Sequence, residues 1–465
     1  MLSFLLVPLY TTENVLSSVA DYGKVSLIFS WFVLFNVVLA YGMETAFFRF
    51  FNKEDDKAKV VGTSSLSLII SSFGFFLLAY LFKDVVASFT GIRVEYITLV
   101  VWILLLDALV IIPFAWLRAN EKPVKYAVIK IANVFVNIGL NLFFLLALKS
   151  LAVDSNIWQS IYIEDFQINY IFIANLIASG LTLLIMLPFY TSVRFRLDIK
   201  LWKQMMRYAF PVLLAGVAFS INETFDRILL KWMLPKEIAE TEIGMYSACY
   251  KLALFMTLFA TAYRLGIEPY FFKHAKEENP QKNYARILEY FVIFGAVILL
   301  TVVVFVDLIK PIIIRDEPYW EAMWIVPIIL IANFCLGIYH NLSVWYKITD
   351  RTKFGAYISV FGALITLGLN LWLIPIWSYK GSAIATLSAY GVMVLLSFYF
   401  GRKYYPIPYN LKKIGSYLAL SIGLSLLSFY QFRENYWVGG FMLIMLLSAV
   451  WIFEQKQIKQ ILNRK

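Results

Sequence analysis

The sequence predicts an all-α polytopic membrane protein, and three observations carry that prediction. Of 465 residues, 61% are hydrophobic, 18% aromatic and only 15% charged, where an average soluble domain carries roughly 25% charged residues. The apolar residues gather into runs of about the twenty residues a bilayer crossing needs, separated by short polar connectors. The basic residues concentrate in alternate connectors, as a fixed orientation across a membrane requires.

The first element is short. MLSFLLVPLY (1–10) supplies about half the apolar length of a span and lacks the small-residue cleavage site of a signal peptide. It reads as the outer half of a first helix whose beginning is missing. Further helices are expected near 25–50, 60–82, 96–117, 126–147, 168–190, 208–230, 243–271, 286–306, 322–346, 355–377, 382–401, 414–430 and 435–453. With the first, that makes about fourteen.

Charge sets their direction. Arg49, Lys53, Lys57 and Lys59 share one side with the Arg118–Lys130, Arg194–Arg207 and Lys273–Arg286 connectors. Lys347–Lys353, Arg402–Lys413 and the basic tail from Lys456 continue it. That side holds roughly two thirds of the 41 basic residues, and the positive-inside rule makes it cytoplasmic. An even number of crossings puts both termini there. The net charge of +11 then reflects topology and anionic lipid, and no nucleic-acid partner is implied.

Several chemistries are excluded. No Walker loop, HExxH or CxxC pattern occurs, so neither ATP hydrolysis nor a metal site is indicated, and no cofactor is expected. Cys249 and Cys335 lie in apolar runs and read as packing residues. The longest outward connector, Lys149 to Gln167, is too short for a catalytic domain. A membrane-embedded glycan polymerase, ligase or O-acyltransferase would need such a loop; His340 in GIYHNLSVW, without a partner acid, does not supply the chemistry. The chain is expected not to be an enzyme.

The chain repeats itself. GMETAFFRFFNKED (42–55) aligns without gaps to GIEPYFFKHAKEEN (266–279), matching Gly42 with Gly266, Glu44 with Glu268 and Arg49 with Lys273. AVIKIANVFVNIGLNL (127–142) aligns with AYISVFGALITLGLNL (356–371), and ADYGKVS (20–26) with TEIGMYS (241–247). A duplication of six crossings leaves both copies in one orientation, a parallel-repeat plan used by transporters with a site between the halves. The expected domains are a six-helix bundle over 1–190, a second over 191–400, and two added helices with a basic cytoplasmic tail over 401–465.

Charges inside the spans stand out, because each costs about 2.5–3.5 kcal/mol at the bilayer centre even on the lenient insertion scale. Asp107 lies in the fourth helix; Glu223, Asp226 and Arg227 in the seventh; Lys251 and Arg264 in the eighth. Glu223 with Arg227, and Arg264 with Glu268, stand four apart on one helical face. These pairs either neutralise one another structurally or face a wet cavity. Lys251 lacks a local partner and is read as facing a cavity. Arg49 and Lys273 snorkel to the interface, whereas Glu44 and Glu268 are assigned to the seam between the halves. The Asn133, Asn137, Asn141 stripe reads as interhelical glue.

LVPLYTT with DYG, YGMETAFFRFF, FPVLLAGVAFSINETFDRILL and IGMYSACYKLALFM, in this order, resemble the polysaccharide-biosynthesis (O-antigen, Wzx-type) flippases. These belong to the multidrug/oligosaccharidyl-lipid/polysaccharide (MOP) exporter superfamily, and the resemblance covers essentially the whole chain. It implies a MATE-like fold and a flippase that moves an undecaprenyl-diphosphate-linked oligosaccharide across the inner membrane by alternating access. The family's cationic cavity carries over to Arg227, Lys251 and Arg264, with Arg49 at the inner mouth. Glu44, Asp107, Glu223, Asp226 and Glu268 are the candidates for charge pairing or coupling to a proton or sodium gradient. The implied partners are the lipid-linked oligosaccharide, membrane lipids, and a polysaccharide polymerase with its chain-length machinery. The shortened first helix departs from the pattern. A multidrug/cation antiporter or a lipid II flippase of the same fold are the alternatives.

Overall fold

The computed structural model of the chain describes residues 2–273 and 279–462. All regular structure among them is helical. Eleven stretches are long and apolar enough to cross a membrane, and twelve if the bent pair Lys236–Leu252 and Leu254–Glu268 counts as one span. The expected fourteen are therefore not reached by this measure. At the start of the chain, a 3-10 turn (Leu2–Leu6) is followed only by α1 (Val7–Tyr10), too little to span. The expected helices 355–377 and 382–401 form one helical stretch, Lys353–Tyr404, interrupted at Ser378 (φ 50°, ψ −134°). The chain doubles back there: Gly381 stands against the Leu373 backbone, and Ser382 Oγ donates to Asn370 Oδ1 at 2.7 Å.

Two compact units divide the chain, Met1–Gly244 and Met245–Lys465. After α1, the first contains α2 (Val19–Ala40), α3 (Met43–Lys53), α4 (Lys57–Leu81), α5 (Lys83–Thr90), α6 (Val94–Leu109) and α7 (Ile111–Ala119). It continues with α8 (Pro123–Leu142), a π turn, α9 (Leu148–Asp154), α10 (Asn156–Gln159), α11 (Gln167–Ser192) and α12 (Ile199–Met233). The repeat counted α12 with the second bundle. By its packing on α2 and α3 it belongs to the first compact unit. α13 (Lys236–Leu252) leads into the second unit.

Local chemistry explains the boundaries. Ser18, Asp56 and Asp198 each accept a backbone N–H three residues on, closing the first turns of α2, α4 and α12. Pro123 opens α8, where its missing N–H is not needed. α2 and α3 are separated by Tyr41 and Gly42, both in the left-handed region (φ 33° and 73°). A Cβ on Gly42 would also lie 2.5 Å from the Ala209 carbonyl oxygen of α12. The break lets Phe47, Phe50 and Phe51 turn inward against α4 and α12, packing with Val60, Met205 and Ala209. In lipid, close packing rather than water exclusion holds such a contact.

The connectors of the first unit sort to two ends. At the basic-rich end Lys59 Nζ meets Asp198 Oδ2 at 2.6 Å and Thr63 Oγ1 donates to the Arg196 carbonyl at 3.2 Å. At the other end Asp21 of α2, Arg93 and Asp165 of two basic-poor connectors, and Glu240 of the helix Lys236–Leu252 line one cavity.

The second unit holds α14 (Leu254–Lys273), α15 (Pro280–Ile313), a 3-10 stretch (Glu317–Ile325), α16 (Val326–Leu342) and α17 (Val344–Ile348). α18 (Lys353–Tyr404), α19 (Leu411–Gln431) and α20 (Tyr436–Leu462) complete it. The last two helices are clamped to α15 by charge at both ends. Lys413 reaches Glu289 at 3.1 Å and the buried Glu454 at 2.8 Å. Arg433 holds Asp307 by two bonds of 3.0 and 2.8 Å, with Lys310 at 2.7 Å. Residues 274–278, the end of the second copy of the opening repeat, and the last residues of the basic tail lie outside the described residues.

The aligned glycines do unlike work. A Cβ on Gly266, inside α14, would meet no atom within 4 Å. The second unit's bend lies earlier instead, where α13 and α14 meet at 48° around Ala253. Gly42→Ala is expected to lower the thermal midpoint by the equivalent of about 1–3 kcal/mol, while Gly266→Ala raises stability by about 0.5–1 kcal/mol; thermal unfolding in detergent reads both. Asp198 provides a pH test. The Leu201 N–H, and then Lys59, hold its carboxyl below the usual carboxylate range. Its charge therefore stabilises the fold above the ordinary carboxylate pKa, and that contribution is lost as pH falls through the depressed folded value. Asp198→Asn keeps the cap and removes the charge, so its midpoint falls below wild type at neutral pH and converges with it in acid.

Candidate functional site

Within the first unit every intramembrane charge from the sequence has an answering group. Glu44, in the first turn of α3, accepts from Arg118 Nη2 at the end of α7. The Arg118 guanidinium also lies 4.8 Å from the Phe48 ring centre. Arg49 is exposed and sits 4.3 Å over the Tyr208 ring, so its body rests on an aromatic at the basic-rich end. Asp107 accepts from Ser179 Oγ of α11 at 2.7 Å, and Lys130 of α8 is the opposite charge that acts on it. The asparagine stripe does bond across helices. Asn133 donates to Thr182 at 2.9 Å, and Asn141 accepts from Tyr10 at 2.8 Å.

On α12 the charges are buried. Arg227 and Asp226 expose only 7% and 3%, and Arg227 Nη1 donates to Asp226 Oδ1 at 2.8 Å. The Glu223 contact that the four-residue spacing suggested also exists through the main chain, where the Glu223 carbonyl accepts from Nη1 at 3.2 Å. Asp226 contributes a close carboxylate, whose Oδ1 also accepts from the Arg227 N–H at 2.8 Å.

In the second unit Lys251 lies half-buried in the last turn of α13, beside the bend at Ala253. Arg264 and Glu268 line one small void of about 10 Å³ with His340, Asn341, Ser343 and Lys347, room for about one water. Glu268 Oε1 takes Lys347 Nζ at 2.6 Å. The sequence pairing of Arg264 with Glu268 thus becomes a three-charge cluster. Arg264 forms no ion pair among the described residues, which leaves the cluster with one positive charge in excess.

The two glutamates of the opening repeat are each bound to a cation of their own unit. Arg118 follows α6 and α7, and Lys347 follows α16, the fourth and tenth expected crossings. Sequence reasoning missed both cations as partners. The signal was present, however, because the offset that aligns 127–142 with 356–371 also carries Arg118 onto Lys347. Each half of the repeat therefore ends its second expected crossing with the same acid and closes it with a cation from the fourth.

These groups offer charge to be bound and released. Among the described residues no group of three His, Cys, Asp or Glu gathers to hold a metal. The fold defines the class: an all-α polytopic membrane protein.

Comparison with known proteins refines the class. The model of the family described as "Polysaccharide biosynthesis protein" matches residues 1–273, more than half of the chain. The chain belongs to that family. No curated protein matches it in sequence. Among solved structures, the lipid II flippase MurJ in an inward closed conformation superposes with a TM-score of 0.73 at 15% identity, covering 98% of this chain and 97% of that one. An inward-facing MATE multidrug transporter of the MOP superfamily superposes at 0.60 and 15% identity, covering 89% and 98%. A MOP superfamily transporter from Pyrococcus furiosus, described as having a binding pocket of reverse polarity, gives 0.54 at 15% identity, covering 89% and 92%. At such identities the likeness is one of fold.

Arg227→Leu removes the guanidinium bonded to the buried Asp226 and is expected to cost about 3–5 kcal/mol, whereas Asp226→Leu/Arg227→Leu costs less than the two single changes summed. Thermal unfolding of the purified variants checks this.

Proposed function

We propose that the protein translocates a lipid-linked, diphosphate-bearing glycan, an undecaprenyl-diphosphate oligosaccharide, across a bacterial inner membrane for surface polysaccharide biosynthesis. The observation that carries this reading is the Arg264–Glu268–Lys347 cluster at the basic-rich end of the second unit, with its excess positive charge. A diphosphate offers Arg264 and Lys347 more negative charge than Glu268 does, and guanidinium and ammonium groups bind it by charge-assisted hydrogen bonds. Binding would free Glu268. Lys251 stands at a helix break, the feature that transporters place at substrate sites. Arg227 and Arg49 complete the proposed cationic set.

Coupling to a proton or sodium gradient belongs to the same proposal. Glu44, Asp107, Glu223, Asp226 and Glu268 are its acidic candidates. Asp107, held by a serine with Lys130 as the acting cation, can exchange that environment for a proton without breaking a close ion pair. Both termini are placed in the cytoplasm by the connector charges. A polysaccharide polymerase and its chain-length machinery would take the product on the other side.

The second reading is a lipid II flippase. It is favoured by the MurJ superposition, which spans nearly the whole of both chains, where the MATE transporters cover 89–90% of this one. Both substrates carry a polyprenyl diphosphate, so the cationic cluster serves either.

Cells lacking the protein are expected to accumulate radiolabelled lipid-linked glycan on the cytoplasmic leaflet. Lys251→Ala and Arg264→Ala should each fail to relieve the accumulation at wild-type protein levels; normal export in both would remove these residues from the mechanism. Rescue of peptidoglycan synthesis after depletion of a native lipid II flippase would instead select the second reading.

A further inference from the structure

We infer that the first unit holds a resident phospholipid with an ethanolamine-type headgroup, seated at the basic-poor end. Two adjoining cavities carry the inference. One, of about 370 Å³, is polar and lined by Asp21, Lys24, Arg93, Tyr96, Asp165 and Glu240. The other, of about 380 Å³, is apolar and runs between α2, α4, α5 and α6, with Trp31, Phe35, Phe75, Leu78 and Val101 in its wall. Ile28 and Ile92 line both. Together they form a polar chamber opening onto a greasy groove, the shape of an amphiphile, and each falls in the size range of ligand sites.

Each cavity also contains a buried donor with nothing to bond. Tyr96 exposes 2% and lines the polar chamber; its hydroxyl has no hydrogen-bond partner among the described residues. Trp31 exposes 8% and lines the groove; its indole N–H is likewise unpartnered. A buried unpaired donor costs about 1–3 kcal/mol, and two in neighbouring cavities ask for acceptors from outside the chain. The ester carbonyls of a glycerolipid lie where a chamber for the head meets a groove for the tails. Trp31 is one turn from Ile28 on the same face of α2.

Charge selects the headgroup. Lys24 already holds Asp21 at 2.8 Å, with Glu240 at 3.7 Å. Arg93 is exposed and lies over the Tyr96 ring at 4.4 Å, free to meet a phosphodiester. The three carboxylates of the chamber are balanced by Lys24, Arg93 and Lys231, which holds Glu240 Oε1 at 2.6 Å from beside Gly91, so a head of zero net charge fits better than a purely anionic one. A phosphate beside a primary ammonium satisfies both signs: the phosphate takes Arg93 and Lys24, and the ammonium donates to Asp165 and Glu240. The tails lie in the groove, whose outer wall includes the exposed side chains of Leu78 and Phe82 and so opens to the bilayer.

The test uses the full-length protein in nanodiscs of equal parts ethanolamine, choline and glycerol phospholipids, followed by native mass spectrometry after delipidation. Wild type should retain the ethanolamine lipid about tenfold over the others, and Arg93→Gln should lower that retention about tenfold, the factor for one charge-assisted bond. Ala79→Trp, which fills the groove from a half-buried wall position, should abolish retention with an unchanged thermal midpoint. Equal retention of the three lipids, preference for the choline or glycerol lipid, or retention untouched by either variant overturns the inference. Retention is read on the protein at rest, so the outcome is independent of the translocation reading.

Discussion

A charge placed in hydrocarbon must be answered from within the protein, and the structure is organised around that requirement. Asp226 and Arg227 answer one another on a single helix; Glu44 and Glu268 are answered by cations brought in from another crossing. Asp307 and Glu454 pin the last two helices to α15. The pairs between helices join segments that lipid alone would leave free to slide, since apolar helices gain little from one another in an apolar solvent. The ionic contacts thus set which helices meet and at what depth.

The same requirement separates kinds of charge. The Asp226–Arg227 pair has both partners inside the fold and little exposed, with a carboxylate beside its guanidinium. The Arg264–Glu268–Lys347 cluster is different, because Glu268 is bonded to Lys347, Arg264 lines the same void as a second cation, and the group is only half-buried. An arrangement with charge left over can take an anion and give it up again. That is what a carrier of diphosphates requires, and it is why the cluster rather than the buried pair bears the functional proposal.

The internal duplication shows how far a repeated sequence constrains structure. Its acids kept their role, for each is closed by a cation from the fourth crossing of its own half. Asn141 and Asn370 behave alike too: both donate to the carbonyl four residues back and accept a hydroxyl from another helix. The glycines diverged. Gly42 takes a left-handed conformation against α12, whereas Gly266 sits in a regular helix with open space beside it. Backbone geometry is set by what packs there, and that neighbour is not written in the glycine's own segment.

Composition and the spacing of apolar runs alone determined the class of the molecule, because a bilayer accepts only helices of a certain length unless a barrel closes. Connector charge gave an expected direction, and the order of motifs pointed to the family. What the sequence could not assign were partners: that Arg118 answers Glu44, that Lys347 takes Glu268, that Ser378 folds one long stretch back on itself, or that Asp21, Arg93, Asp165 and Glu240 share one polar chamber. These are contacts between segments tens or hundreds of residues apart. Helical periodicity says which face of a helix is apolar but carries no information on which other helix will cover it.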